Sequence, residues 1–302
     1  MTLTQLRYLV ALDKYKNFAR AAESCLVAQP TLSLQIQKLE QEIGAEIFDR
    51  SKNPVATTQF GNEIINQARK VLHESEVLEE MFREGREEAS GEITVGIIPT
   101  ISAYLLPRIF QILNIQYPLI SFRFFELPTS QIIQKLEAEE LEVGILATPL
   151  NNKNIIEQPL YYEPFVTYYP KNYEGKLIDL ELDDLNSKEI ILLGEEHCLR
   201  HQSLKICGQK TLGKIECGSL ETIRNMVDLG VGMTLLPLLS MNPDKDKFGR
   251  FKVPEPVREV SLVYKNGFYK KKILQTISKT ILSVTPEELK EIGNRKLIGI
   301  LN

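Results

Sequence analysis

The hydrophobic pattern of this 302-residue chain changes its period near residue 90, and this change constrains the fold more than any other feature. Up to Glu88 the apolar residues recur every three or four positions, which is typical of helices. From Glu92 onward, short apolar runs of strand length alternate with helix-like segments. We therefore expect an α-helical N-terminal part, followed by an α/β part with a mainly parallel sheet.

Within the α/β part, the apolar runs and their turn residues give approximate element bounds. We predict strands over residues 93–98, 122–125, 143–147, 189–193, 214–216 and 233–236, and helices over 102–116, 130–140 and 220–229.

The composition is that of an ordinary globular protein, with 43% hydrophobic and 25% charged residues. There is no uninterrupted apolar run long enough to span a bilayer and no signal peptide at Met1, so we expect a cytoplasmic protein without membrane contact. The net charge of −4 does not by itself indicate a nucleic-acid partner. DNA binding must therefore be argued from the geometry of motifs.

Two short helices joined by a tight turn are predicted near the N-terminus. Asn17 offers an N-cap for a helix over residues 18–25, and Pro30 suits the first turn of a second helix over 29–39. The outer face of this second helix is polar, and Leu32, Ile36 and Leu39 form its buried stripe. This is the pattern of a helix-turn-helix, and residues 45–58 after it are interpreted as a two-stranded wing.

A long charged helix is predicted over residues 61–88. Its seam positions alternate by three and four, which is typical of a coiled coil: Ile64, Ala68, Val71, Ser75, Leu78 and Phe82. An apolar stripe of this kind needs a cover, which indicates a homodimer through this helix. The alternative is that the helix packs on its own domain.

Two of the four cysteines, Cys198 and Cys207, enclose a polar segment. His197 and Arg200 are cationic neighbours of Cys198 and are expected to favour its reactive thiolate. The two cysteines are nine positions apart, which along a helix is roughly 13–14 Å. Because a disulfide needs the two Cα atoms within about 7 Å, bonding these sulfurs would remodel a helical segment. The pair could therefore act as a redox switch.

The first sixty residues closely resemble the winged helix-turn-helix of LysR-type transcriptional regulators. The likeness is carried by Leu6-Arg7-Tyr8-Leu9, Phe18-Ala19-Arg20-Ala21-Ala22, Gln29-Pro30-Thr31-Leu32-Ser33, Ile36-Gln37-Lys38-Leu39-Glu40, Gly44, Phe48-Asp49-Arg50, and Thr58 with Gly61.

The rest of the chain resembles that family's effector domain, which is built like a two-lobed periplasmic binding protein. The likeness is greatest to the family's peroxide-sensing members. It is carried by Gly96-Ile97-Ile98-Pro99-Thr100, Tyr104-Leu105-Leu106-Pro107, His197-Cys198-Leu199-Arg200 with Gln202 and Cys207, and Ser219-Leu220-Glu221-Thr222-Ile223-Arg224-Asn225-Met226-Val227.

The resemblance implies three parts: a DNA-binding domain over residues 1–59, a dimerising linker helix over 60–89 and a redox-sensing regulatory domain over 90–302. It implies that hydrogen peroxide oxidises Cys198 and that Cys207 resolves the product as a disulfide. The implied peroxide pocket contains Thr100, Thr129, His197, Arg200 and Lys265.

The resemblance also implies partners. The implied protein is a homotetrameric activator of antioxidant genes that binds promoter DNA and RNA polymerase and is reset by a thioredoxin- or glutaredoxin-type reductant. The chain departs from the family pattern at three positions. Ala28 stands where a capping serine is usual, His201 where an aspartate follows the arginine of the cysteine motif, and Lys265 where a pocket arginine is expected.

Specific DNA contacts are expected from the second helix and from the wing. Gln29 is suited to adenine, and Pro30 or Thr31 to a thymine methyl group. Ser33 and Gln35 could reach phosphates or base edges. At the wing, the residues expected to contact the backbone or the minor groove are Arg50, Lys52 and Thr58.

Two other functions remain open at this point. A small anion or metabolite in the cleft between the lobes could be the signal, bound by Thr100, Ser102 and Thr129, although either threonine could equally be an N-cap or turn residue. Alternatively, the cysteine pair could belong to a thiol peroxidase, which would leave the helix-turn-helix without a role. We expect no cofactor and no metal, and we interpret Cys25 and Cys217 as core thiols.

Overall fold

The computed structural model describes residues 1–84, 89–181, 185, 190–208 and 215–300. The chain divides into two compact units, Met1–Glu87 and Glu88–Asn302, close to the point where the hydrophobic period changes. The predicted end of the linker helix at residue 88 lies outside the described residues, as do the first residues of the strands predicted over 189–193 and 214–216.

The N-terminal unit contains the predicted helix-turn-helix and wing. Its elements are α1 Leu3–Tyr15, α2 Phe18–Ser24, α3 Gln29–Ile43, β1 Phe48–Asp49, β2 Ala56–Thr57 and α4 Gln59–Glu84. Asn17 caps α2, because its side chain accepts a hydrogen bond from the backbone N–H of Arg20 at 3.0 Å. β1 and β2 pair antiparallel, which confirms the predicted wing.

Helix α3 begins after Ala28 without a side-chain cap, as the missing serine predicts. It ends at Gly44, whose φ of 79° lies in the left-handed region that glycine adopts without a steric penalty. Its buried residues include Leu32, Ile36 and Leu39, which are fully buried in the core of this unit. The polar face of α3 is thereby left outward, as a recognition helix requires.

Helix α4 packs on its own domain along only part of its apolar stripe. In its first half Ile65 and Ala68 are buried in the core of the N-terminal unit. From Val71 onward, three of the seam residues are exposed instead: Val71 by 36%, Leu78 by 54% and Phe82 by 75%. The first part of α4 therefore packs on its own domain, and the part from Val71 onward exposes apolar side chains among the residues that the structure describes.

The C-terminal unit is an α/β structure with a mixed sheet. Its strands and helices are β3 Gly91–Ile97, α5 Pro99–Gln116, β4 Ile120–Glu126, α6 Thr129–Glu137, β5 Val143–Thr148, β6 Ile155–Tyr169, β7 Leu192–Leu193, α7 Cys198–Cys207, β8 Glu216–Cys217, α8 Leu220–Asp228, β9 Thr234–Pro237, β10 Lys247–Arg250, β11 Glu255–Lys265, α9 Lys271–Ser283 and β12 Arg295–Leu297.

The expectation of a mainly parallel sheet is wrong. β3 pairs parallel with β4 and β5, but β11 runs antiparallel to both β5 and β6, and β6 is also antiparallel to β9 and β10. The long strands β6 and β11 were absent from the sequence-based assignment. Their mutual pairing is what makes the sheet mixed.

Two hydrophobic cores divide this unit into the two expected lobes. The first core lies around β3, β5, α5 and α9, and the second around β7, β9, α7 and α8. Strand β6 contributes to both, with Leu160 and Tyr161 in the first core and Phe165 and Val166 in the second. The lobes are therefore connected by strands that cross from one core to the other.

Candidate functional site

Cys198 and Cys207 are the first and last residues of α7. A ten-residue helix separates their Cα atoms by roughly 13–14 Å, since each residue adds about 1.5 Å of rise. Cys198 packs against the core of the first lobe, and Cys207 packs against the core of the second. The two thiols are free, and a bond between them requires α7 to unfold at least in part.

The thiol of Cys198 lies among polar groups that come from other elements. Burial raises its pKa above the ordinary value, whereas the Arg258 guanidinium and the Thr129 hydroxyl lower it. The backbone N–H groups of Leu199 and of Cys198 itself, at the start of α7, act in the same direction as Arg258. Burial is the larger effect, so this reduced state favours the thiol over the thiolate.

His197 and Arg200 are not the cations that act on Cys198, contrary to the expectation from sequence. His197 is buried, and its Nε2 lies 3.2 Å from the carbonyl oxygen of Gly218. Arg200 donates to the carbonyl oxygen of Leu193 at 3.0 Å and forms an ion pair with Glu216 at 2.6 Å. Both side chains therefore bind to residues in, or directly after, the strands β7 and β8.

The cation beside the thiol is Arg258, which was not predicted from the sequence. Arg258 lies on β11 and has no solvent exposure. By contrast Lys265, expected in the pocket, is half exposed and pairs with Glu139 at 2.5 Å. The local signal is weak, because Arg258 stands next to Glu259 in a strand-like stretch, and nothing nearby in the sequence indicates which of the two charges is buried.

Arg258 is held by a dense set of hydrogen bonds. Its Nε and Nη2 donate to the same carboxylate oxygen of Glu163 at 3.0 and 2.8 Å. Nη1 donates to the Thr100 hydroxyl at 3.1 Å, and Nη2 donates to the Thr100 carbonyl and to the Tyr104 hydroxyl at 3.0 and 3.2 Å. The guanidinium is therefore fixed in one orientation.

Both expected threonines lie in first turns of helices at the site. Thr100, in the first turn of α5, contacts Arg258. Thr129 is the first residue of α6 and faces Cys198. Its buried Oγ1 has no hydrogen-bond partner with ordinary geometry among the described residues. This hydroxyl is thus available to a small polar ligand beside the sulfur.

The far end of α7 is held by the C-terminal segment. Burial raises the pKa of Cys207 to about 12. Gln202, which is fully buried, donates from Nε2 to the carbonyl oxygen of Ile298 at 2.8 Å, and Lys205 donates to that of Gly299 at 3.2 Å. These bonds stabilise the helical arrangement that keeps the two sulfurs apart.

The expected DNA-contacting residues of α3 lie at its exposed start. Gln29, Pro30 and Thr31 are exposed, and Ser33 is half-buried. Gln35 is also half-buried, and its Oε1 accepts a hydrogen bond from Gln5 at 3.2 Å. The first turn of α3 therefore presents the side chains that are most available to a base edge.

At the wing, the three expected residues differ in their availability. Lys52 is 65% exposed and lies 3.6 Å from Asp49. Arg50 pairs with Glu40 at 2.6 Å, and that carboxylate also accepts from two backbone N–H groups at the start of the wing. The Thr58 hydroxyl accepts from Gly61 N at 2.9 Å and so caps the start of α4. Arg50 and Thr58 thus have structural contacts whether or not they touch DNA.

A winged helix-turn-helix joined to a two-lobed α/β unit that holds a half-buried pair of thiols defines a ligand- or redox-controlled regulator. Residues 3–62 match the model of bacterial regulatory helix-turn-helix proteins of the lysR family, and residues 86–284 match that of the LysR substrate binding domain. The chain belongs to the LysR family.

Relatives of known name share nearly the whole length of the chain. The hydrogen peroxide-inducible genes activator of Haemophilus influenzae is 37% identical over 303 residues, covering 97% of this chain and 98% of the relative. The DNA-binding transcriptional dual regulator OxyR of Escherichia coli is 38% identical over 275 residues, with coverages of 88% and 90%.

Solved structures of OxyR proteins are also similar to this chain over most of its length. Full-length OxyR of Pseudomonas aeruginosa, in which a cysteine is replaced by aspartate, is 35% identical and superposes with a TM-score of 0.77, covering 93% of this chain and 94% of that one. A cysteine mutant of Corynebacterium glutamicum OxyR with hydrogen peroxide bound is 26% identical, with a TM-score of 0.60 and coverages of 93% and 92%.

In the described part of this chain, no helix is long and apolar enough to cross a membrane.

Proposed function

We propose that this chain is a peroxide-sensing transcriptional regulator switched by a reversible disulfide between Cys198 and Cys207. The observation that carries the proposal is the placement of the two thiols at opposite ends of α7, with Cys198 beside Arg258 and Thr129. The likeness to peroxide-inducible activators over nearly the full length supports it. The proposed pocket is Cys198 with Thr100, Thr129 and Arg258, in place of the Lys265 expected from sequence.

The proposed chemistry is a two-electron oxidation in two steps. The Cys198 thiolate attacks one oxygen of hydrogen peroxide, the O–O bond breaks, and hydroxide leaves as the sulfenic acid forms. The Cys207 thiolate then attacks that sulfur, so that an S–S bond forms and the S–O bond breaks with loss of water after protonation. The Thr129 hydroxyl is placed to hold the peroxide beside the sulfur.

On the DNA side, a homodimer through the exposed half of α4 presents two recognition helices to one operator. We propose pairing of such dimers into a tetramer, activation of antioxidant genes through contact with RNA polymerase, and reset by a thioredoxin- or glutaredoxin-type reductant. Opening of α7 would change the regulatory unit and thereby the spacing of the DNA-binding heads.

The proposed function is not that of an enzyme. A thiol peroxidase would turn over peroxide catalytically with a reductant, and the recognition helix would have no part in that reaction. Peroxide consumption measured with thioredoxin and its reductase should therefore show a fast phase of about one equivalent per cysteine pair, followed only by slow consumption at the rate at which the reductant resets the disulfide.

The decisive experiment is a DNA footprint with and without a brief low dose of peroxide. The wild-type footprint should change, and peptide mass spectrometry should find a new Cys198–Cys207 disulfide. Cys198→Ser should keep the reduced footprint in both conditions, while the matched Cys25→Ser variant should respond normally. A peroxide response that persists in Cys198→Ser would overturn the proposal.

A further inference from the structure

Glu163 has no role in the oxidation described above, yet it is the most heavily engaged carboxylate at the site. It lies on β6 with no solvent exposure and forms an ion pair with Arg258, which is equally buried, at 2.8 Å. Its Oε2 also accepts from the Tyr104 hydroxyl at 2.7 Å, and its Oε1 accepts from Leu239 N at 3.0 Å. A carboxylate held at four points cannot easily turn away from Arg258.

The geometry directs the charge of Arg258 towards Glu163 rather than towards the sulfur. Two of the three guanidinium nitrogens donate to Glu163, and the remaining nitrogen donates to the Thr100 hydroxyl. Inside a protein, where the effective dielectric is low, a neighbouring carboxylate removes much of the attraction that a cation exerts on a second anion. A Cys198 thiolate would therefore experience only part of the attraction of Arg258, which still lowers the pKa of the thiol.

The other titratable groups in this cluster do not replace the charge of Glu163. Burial raises the pKa of both Tyr104 and Tyr161, so their hydroxyls stay neutral at physiological pH. Although burial by itself lowers the pKa of Arg258, Glu163 together with Tyr104, Tyr161 and Cys198 raises it above the ordinary value, so the guanidinium stays charged. On the α6 side the sulfur faces the neutral hydroxyl of Thr129. Among the described groups around the thiol, Glu163 is the anion that offsets Arg258.

We propose that Glu163 is a positioning residue that restrains the oxidation of Cys198, because its carboxylate both orients Arg258 and offsets the positive charge available to the Cys198 thiolate. The inference rests on the proposed function for its biological meaning, which is a sensor that stays reduced until peroxide rises. The chemical effect proposed for Glu163 is only on how readily Cys198 loses its proton.

The test measures the alkylation of Cys198 as a function of pH, without peroxide and without DNA. Iodoacetamide reacts with the thiolate, so that an S–C bond forms and iodide leaves. Trypsin cleaves after Arg200 and Lys205, which places Cys198 and Cys207 on different peptides, and mass spectrometry can follow each separately.

Glu163→Gln removes the charge but keeps the size and the ability to accept hydrogen bonds. The midpoint of the Cys198 alkylation profile should move to lower pH, and the rate at pH 7 should rise roughly tenfold, which corresponds to one unit of pKa. Glu259→Gln is the matched control, because it removes a carboxylate from the next position of β11, where Glu259 bonds to Thr148 instead. This control should keep the wild-type profile.

A purely structural role for Glu163 predicts the opposite result. If the carboxylate only keeps Arg258 in place, Glu163→Gln should release the cation from the site and slow the alkylation of Cys198. An unchanged or slower rate would overturn the inference. Should Glu163→Gln fail to fold, Glu163→Asp provides the test. Its carboxylate lies one methylene further from Arg258, so Cys198 should be alkylated faster than in wild type. An equal or lower rate of alkylation refutes the inference.

These results can be separated from those of the footprint experiment. A chain that kept its peroxide response in Cys198→Ser would not be the proposed sensor. The effect of Glu163 on the alkylation of Cys198 would still be tested independently by the pH profile of that reaction. Conversely, a flat alkylation result for Glu163→Gln leaves the disulfide switch intact.

Discussion

The Gln202 side chain donates a hydrogen bond to the carbonyl oxygen of Ile298 at 2.8 Å, and Gln202 has no exposure to solvent. This bond joins the middle of α7 to the segment that follows β12. Because α7 keeps Cys198 and Cys207 too far apart to react with each other, any disulfide has to displace Gln202 from Ile298. The stability of this contact is therefore part of the energy that opposes switching.

Oxidation should reduce the helix content of the protein. Forming the Cys198–Cys207 disulfide should unfold much of α7, a segment of ten residues, and lower the far-UV circular dichroism signal at 222 nm accordingly. Hydrogen exchange should increase in residues 199–206 at the same time. Cys207→Ser, which can form the sulfenic acid but not this disulfide, should retain the signal. An unchanged spectrum in oxidised wild type would contradict the proposed remodelling.

Removing the donor of Gln202 should favour the oxidised state. In Gln202→Met the buried carbonyl of Ile298 loses its partner only in the reduced form, which costs about 1–3 kcal/mol. The midpoint potential of the disulfide should become more negative by roughly 20–60 mV. His201→Ala, at the exposed neighbouring position of α7, should leave the potential unchanged. Redox titration against glutathione or dithiothreitol buffers measures both, and a shift to more positive potential in Gln202→Met would contradict the role given to this bond.

The chemistry of this site was only partly accessible from the sequence. The two cysteines were singled out from the sequence, and their separation was calculated for the case that the segment is helical. The structure places a helix over Cys198–Cys207, which the local pattern alone had not assigned. The cation was not predicted. His197 and Arg200 are neighbours in sequence, but successive residues at a helix start point in different directions, and both turn towards β7 and β8.

Arg258 could not be found by a local argument, since its main partner is 95 positions away on β6. The same limit applies to the sheet. Its parallel part, made of β3, β4 and β5, was predicted from alternating strands and helices. The antiparallel part depends on β6 and β11, which pair with each other along most of their length. Their pairing is set by tertiary packing and leaves no short-range signal.

The buried thiol of Cys207 should make stability fall in alkaline solution. Burial raises its pKa from an ordinary value near 9 to about 12, so the folded state holds its proton while the unfolded state releases it. The protonated Cys207 thiol makes its full contribution to the free energy of unfolding below pH 9. This contribution is lost progressively between pH 9 and about 12. By pH 11, two units above the ordinary pKa, the loss should be roughly 2.7 kcal/mol. Urea unfolding under reducing conditions should show a shallower decline for Cys207→Ala; parallel declines would contradict the prediction.

A charge on the exposed seam of α4 should break the proposed dimer. Leu78 is 54% exposed in the isolated chain, and a carboxylate there would be buried without a partner in a helix-to-helix interface. Leu78→Glu should therefore shift the protein towards monomer in analytical ultracentrifugation. Asn62→Glu places the same charge on an exposed position roughly 160° around the helix, at about 100° per residue, and should leave the assembly intact. A dimer that survives Leu78→Glu would exclude this interface.

Gln29 should determine base specificity without affecting the fold. Its side chain is exposed at the first turn of α3, in the position from which a recognition helix reaches base edges. Gln29→Ala should weaken binding to the specific operator by about 1–3 kcal/mol while leaving affinity for random DNA nearly unchanged. Lys52→Ala, at an exposed position of the wing, should instead weaken both and reduce the salt dependence of binding. Fluorescence anisotropy titrations at several salt concentrations distinguish the two effects, and a uniform loss of affinity in Gln29→Ala would assign that residue to the DNA backbone instead.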